Sequence, residues 1–137
     1  MATNKSKIRE CLENNRRPLW YLDELVTVLK SILKAREDSN YARKKCFHGT
    51  GPLVLSADTL HSILGDNNPS AIYPNGIYPA IINTLYAMGI VKRYRGYMSS
   101  TRPRAKGRRI STYAVRAPSS IIKWTIDELL TGTLEKI

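Results

Sequence analysis

Residues 79–97 read PAIINTLYAMGIVKRYRGY, and the change of rhythm inside them decides the fold. Up to Met88, the apolar residues Ile81 or Ile82, Leu85 and Met88 recur at the three-to-four spacing of one buried helix face. Pro79 suits the opening turn of a helix, where a missing N–H leaves no bond unmade. Gly89 suits its end. The next eight residues, IVKRYRGY, alternate imperfectly with period two, the rhythm of a strand. The sequence therefore predicts a helix over 78–89 that runs directly into a strand over 90–97.

Downstream, residues 109–116 (RISTYAVR) are again strand-like. The two strands make one hairpin, with a basic tip confined to about Ser99–Gly107. The chain then reads SSIIKWTIDELLTGTLEKI. This predicts a C-terminal helix over about 119–136, capped at Ser119 or Ser120 and apolar along Ile122, Ile126, Leu129, Leu130 and Leu134. Upstream, residues 65–76 are turn-forming throughout. Before them, PLVLS gives a short strand, and Ser56 is placed to cap a helix through ADTLHSIL with Leu60, Ile63 and Leu64 inward. SNYARKKCFHGTG reads as a polar connection. The strongest helix lies at 18–38, with Asp23 and Glu24 early and Lys30, Lys34 and Arg36 late, in accord with the macrodipole. Its expected buried stripe is Leu19, Leu22, Val26, Leu29 and Leu33. A short helix over 4–14 precedes it, with Ile8, Cys11 and Leu12 on one side.

Charge is unevenly placed. The chain of 137 residues carries a net +11. Residues 67–126 hold ten Lys and Arg and no Asp or Glu, whereas residues 1–66 hold eleven against eight acids. Such an acid-free stretch inside folding sequence points to a polyanionic partner. Nucleic acid fits better than an acidic membrane, because the cations sit on strand-like sequence rather than on a helix with bulky apolar anchors.

The order helix, short strand, helix, helix, two-stranded hairpin resembles the winged helix–turn–helix family of DNA-binding proteins. The resemblance rests on LVLSADTLHSILG, PAIINTLYAMGIVKRYRGY and RRISTYAV, and it covers about residues 18–116; no one subfamily is singled out. It implies an α+β, mainly α fold: a winged helix–turn–helix with a two-stranded basic β-wing and N- and C-terminal helical extensions. The link from Gly65 to Ile77 is longer than the short turn usual in the family. By this resemblance the helix 78–89 would enter the major groove of double-stranded DNA, and the wing 92–109 would hold backbone or minor groove. The expected function is that of a small transcriptional regulator.

The residues expected to touch DNA follow. The outward face of the helix is Ala80, Asn83, Thr84 and Ala87, with Tyr78 at its start. Asn can pair with adenine and Thr can touch the thymine methyl; equally, these are a solvated face of good propensity. On the wing, Lys92, Arg93, Arg95, Arg102, Arg104, Lys106, Arg108 and Arg109 can grip phosphates or enter a minor groove. Alternation sends Lys92 to one side and Arg93 and Arg95 to the other. A second basic cluster, Tyr41–Lys45, is either a further backbone contact or a polar helix end. The apolar C-terminal helix would pair two copies into a homodimer suited to two half-sites.

Two other classes stay open: an RNA-binding component of a ribonucleoprotein, and a winged-helix module that meets an acidic protein. Eight tyrosines against one Phe would suit stacking on unpaired bases, or simply pair across the hairpin. No enzyme is expected, since the few carboxylates sit where helix dipoles explain them and form no acid–base pair. No cofactor is implied. Cys46 and His48, with Cys11 and His61, match no four-ligand metal spacing. GTGP at 49–52 lacks the Lys-Ser/Thr of a phosphate-binding loop. No apolar run of about 18 residues suggests a membrane span, and the start MATNKSKIRECLENN lacks the apolar core of a secretory leader. The expectation is one domain over 1–137 in an intracellular compartment, cytoplasm or nucleoid, with a virus or mobile element among the sources that suit its composition.

Overall fold

The structure, a computed structural model, describes residues 8, 10, 22–47, 53–64, 77–99 and 109–135; for 77, 95–99 and 132–135 it describes the backbone alone. It is mainly helical, with one small antiparallel sheet. In chain order the elements are α1 (Leu22–Glu37), α2 (Ser39–Lys44), β1 (Val54–Leu55), α3 (Ala57–Leu64), α4 (Ile77–Ala87), β2 (Val91–Ser99), β3 (Arg109–Val115) and α5 (Ser119–Glu135). Ile8 and Glu10 are helical, as expected of the first segment, and Ile8 is fully buried in the core.

Helix α1 is the spine. Asp23 and Glu24 open it and Lys34 and Arg36 close it, so charged ends oppose the macrodipole. Its buried apolar residues are Leu25, Val26, Val28, Leu29, Ile32 and Ala35, while Leu22 and Leu33 pack only partly against the same cluster. The inward stripe is thus rotated from the expected one, of which Leu19 lies outside the described residues. Leu25, Val28 and Ile32 join it because α1 packs on α2, α3 and α5 together, which widens a seam into a broad face. At the far end Arg36 donates from its guanidinium to Ser119 Oγ at 3.2 Å. Partial burial draws the Arg36 pKa below its ordinary value, while the group stays charged.

The stretch expected as a connection is in part a helix. Asp38 ends α1 with its N–H on the Lys34 carbonyl at 2.9 Å. Its extended backbone then starts α2, and its carboxylate accepts the N–H groups of Asn40 and Tyr41. Capping of this kind contributes about 1 kcal/mol. Helix α2 ends in a Schellman turn: Phe47 N–H reaches the Ala42 carbonyl at 2.9 Å and Cys46 N–H the Arg43 carbonyl at 3.2 Å. Cys46 takes the left-handed conformation this requires, φ 64°, where glycine is usual.

Ser56 stands just before α3, as expected, and its carbonyl accepts the Leu60 N–H. Its hydroxyl does not cap: it is buried without a hydrogen-bond partner. Thr59 does the work instead. Its Oγ1 accepts the Ser56 N–H at 3.0 Å and donates to the Cys46 carbonyl at 2.7 Å. Helix α5 likewise starts from Pro118, whose carbonyl accepts the Ile121 and Ile122 N–H groups, rather than from a serine hydroxyl.

The sheet runs β1-β3-β2. β1 pairs Val54 with Ala114 and Leu55 with Tyr113. β2 pairs Val91 with Val115, and the expected hairpin is there, with its tip (100–108) outside the described residues. Leu55, Val91 and Val115 face the helices and join the main cluster. Helix α4 ends at Ala87, the Met88 N–H still reaching the Thr84 carbonyl at 2.9 Å, and Gly89 stops it, as expected, at φ 76°. The same Schellman pair recurs there: Gly89 N–H to the Tyr86 carbonyl and Ile90 N–H to the Leu85 carbonyl, both 3.0 Å.

The two turns make a matched test. Gly89→Ala places a Cβ in the left-handed well and should cost about 1 kcal/mol, read as a lower urea midpoint. Cys46→Gly should leave the midpoint unchanged or raise it, because relief of a similar strain offsets the larger chain entropy of glycine.

Candidate nucleic-acid interface

Helix α4 carries no charged residue in its sequence IYPAIINTLYA. Ile81, Ile82 and Leu85 are buried, with Met88 beyond them, as the spacing predicts. Solvent meets Pro79, Asn83, Tyr86 and Ala87. The expected outward face needs correction. Thr84 is only 7% exposed, and its hydroxyl donates to the Ala80 carbonyl at 2.9 Å. It stands three residues from Ile81, so at about 100° per residue it flanks the buried face. Ala80 is half-buried against the core. Tyr78 is also half-buried, its ring stacked on His61 of α3 with centroids 3.8 Å apart and planes at 29°. That stack joins α3 to α4 on either side of the long link, which itself lies outside the described residues. Of the helix residues expected to touch DNA, Asn83 and Ala87 are exposed.

Sequence reasoning missed Tyr86, which is 57% exposed. Its signal was its position, one turn beyond Asn83 on the arc opposite Ile81 and Met88.

Four residues after Ala87 the chain is already in β2, through the Gly89 turn. Lys92, Arg93 and Tyr94 are all exposed. Lys92 and Arg93 pair in regular register with Ala114 and Tyr113, so successive side chains alternate there, and both are wet because β2 is an edge strand. The register with β3 then shifts between Arg93 and Tyr97. Residues 94–96 stand opposite Thr112 alone, because Arg93 pairs with Tyr113 and Tyr97 with Ser111. Such a bulge bends and twists the strand. Arg95 lies on this bulge, its side chain outside the described residues. Arg109 is exposed at the start of β3, opposite Ser99. Arg102, Arg104, Lys106 and Arg108 lie outside the described residues. Arg116, just past β3, and Lys123 on α5 are exposed cations that the sequence reading did not select.

The second basic cluster, Tyr41–Lys45, is largely α2. Arg43 and Lys44 are exposed. Lys45 turns inward, its Nζ donating to the Ser62 carbonyl in the last turn of α3 at 3.2 Å. Cys46 Sγ lies 3.2 Å from Ser62 Oγ. Tyr41 donates its hydroxyl to Ser31 Oγ at 3.0 Å, and the Lys34 ammonium sits 4.6 Å from its ring centroid.

Two groups weighed as metal ligands are engaged elsewhere: Cys46 with Ser62, His61 with Tyr78. Cys11 and His48 lie outside the described residues. Among the described residues no three His, Cys, Asp or Glu are grouped to hold a metal, and no helix is long and apolar enough to cross a membrane. Comparison with protein-family models, curated proteins and solved structures finds no match.

The two kinds of α4 residue should separate on substitution. Tyr78→Leu should cost about 0.5–1.5 kcal/mol through loss of the aromatic pair. Asn83→Ala should stay within about 0.5 kcal/mol. Thermal melts followed by circular dichroism measure both.

Proposed function

We propose that this chain is a double-stranded DNA-binding protein of winged helix–turn–helix type, serving as a small transcriptional regulator. Helix α4 would lie in the major groove and the β2–β3 wing on adjacent backbone or minor groove. The observation that carries the proposal is the join of an uncharged, exposed helix arc to an exposed basic strand through one tight turn, within residues 67–126 that hold no acid. Base edges are neutral and phosphates are charged, so a neutral helix beside a basic ribbon complements both. The element order α1, β1, α3, α4, β2, β3 supports the winged-helix assignment, with α2 and α5 as additions. Asn83 would offer a bidentate pair to adenine, and Tyr86 an aromatic face beside it. Thr84 and Tyr78 leave the contact set, being engaged within the fold.

A second reading has one observation in its favour. Tyr86 and Tyr94 are 57% and 38% exposed, and aromatic faces beside cations suit unpaired bases, as in RNA or single strands.

Titration of labelled duplex, single strand and structured RNA at fixed salt distinguishes the two. The proposal expects duplex to bind most tightly, with a log–log salt slope near −4 to −5 if about five phosphates are neutralised. A constant that hardly moves with salt, or a preference for single strands, overturns it.

Helix α5 spends Ile122, Ile126 and Leu129 on the core of its own chain. Leu130 remains, 44% exposed. We propose that a second copy pairs there, toward the end of the helix. Light scattering should then give twice the 15.5 kDa chain mass; a monomer mass at working concentration rejects pairing.

A further inference from the structure

Cations follow the C-terminal end of the neutral helix α4, and others lie on α2, which is tied to the neighbour of its N-terminal turn. At its C-terminal end the Gly89 turn leads to Lys92 and Arg93. At its N-terminal end the path runs through side chains. Tyr78, in the first turn of α4, stacks on His61. The next residue, Ser62, accepts Lys45 Nζ on its carbonyl and faces Cys46 Sγ through its hydroxyl. Thr59, one turn earlier in α3, holds the Cys46 carbonyl. The C-terminal end of α2 is therefore bolted to the last turn of α3, beside the start of α4. Arg43 and Lys44, in the last turn of α2, are exposed.

The bolting comes at a cost. Cys46 adopts a left-handed backbone, φ 64°, which a residue with a Cβ disfavours. Strain kept at a particular place directs attention to what that place positions. Here it fixes the direction in which the chain leaves α2, and with it the seat of Arg43 and Lys44. Between Asp38 and Asp58 the chain has no acid, and Arg43, Lys44 and Lys45 are its cations there.

We infer that α2 is a second phosphate-contact element, holding the backbone strand opposite to the one the wing holds. The inference rests on the proposed duplex binding and adds a partner strand to it. Helix α4 has eleven residues, about 16 Å at 1.5 Å per residue. The major groove is about 12 Å wide. A helix of that length set across a groove brings its two ends to the two phosphate rims; Lys92 and Arg93 follow the C-terminal end of α4, and Arg43 and Lys44 lie on the helix tied to α3, which stacks on its first turn. The plainer role of Arg43 and Lys44, offsetting the dipole of α2, makes no demand on DNA.

The test is binding of the full chain to a fluorescently labelled mixed-sequence duplex, by anisotropy over a sodium chloride series. Replacing Arg43 and Lys44 together by Gln should lower the magnitude of the salt slope by about two, and each single change by about one. Exchanging the pair, Arg43→Lys with Lys44→Arg, keeps the charge and should keep the slope; this guards against loss of fold, which circular dichroism reads directly. Lys123→Gln, on α5, should leave the slope unchanged. If Lys92→Gln lowers the slope while the Arg43/Lys44 pair, folded, does not, the inference is overturned and the proposed function stands. If the unaltered chain gives no salt-dependent duplex binding, the proposed function falls and this inference with it.

Discussion

Ile90 is the point on which the arrangement turns. Its N–H closes the end of α4 on the Leu85 carbonyl, and its own carbonyl accepts the N–H groups of both Arg116 and Ala117. Its side chain is fully buried. One residue therefore ties the end of α4, the start of β2 and the exit of β3 into a single junction, and α5 starts from Pro118 immediately after. Gly89 makes this affordable, since only a residue without a Cβ reaches φ 76° at little cost. Because backbone bonds rather than side chains make the junction, the direction of the hairpin relative to α4 is set before any surface residue is chosen.

A second junction, at α2 and α3, is built differently. Thr59 supplies one hydroxyl that both accepts from Ser56 and donates to Cys46, and Lys45 and Cys46 share Ser62. These are polar, local and half-buried contacts, beside a main cluster that is apolar. Polar ties specify orientation more sharply than apolar packing does, because a displaced partner leaves a desolvated group unpaired. The fold thus spends its polar interactions on where α2 points.

Long periodic segments were legible in the sequence. The helix-to-strand switch near Gly89, the hairpin, and the inward residues of α4 followed from spacing and one glycine, and those signals are local. What escaped was decided by neighbours. The stripe of α1 widened because three elements pack on it. Helix α2 is six residues long, too short for a periodic signal, although Asp38 followed by Ser39 and Asn40 carried an N-cap signature. Thr84 looked outward by polarity, yet a threonine that bonds the carbonyl one turn back satisfies its own hydroxyl and can be buried. Thr27 and Thr125 do the same on α1 and α5. The register shift past Arg93 escaped because a bulge cannot be read from parity. The basic tip, with Arg102, Arg104, Lys106 and Arg108, was identified by charge alone.

The helices differ in what they show to solvent, and the difference bears on the proposed function. α1 exposes Asp23, Lys30, Lys34, Arg36 and Glu37, and α5 exposes Lys123 and Asp127, the usual charged face of a surface helix. α4 exposes Pro79, Asn83, Tyr86 and Ala87 and no charge at all. A carboxylate there would repel phosphates, and a long basic side chain would compete for whichever phosphate lay nearest, blurring register on the bases. Neutral side chains avoid both, provided that affinity comes from elsewhere. Here the cations lie on β2, joined to the end of α4 through the Gly89 turn, and on α2, tied by side chains to α3. Under duplex binding, position and grip are then separate tasks, and the residues of α4 are left to discriminate between sequences rather than to hold on.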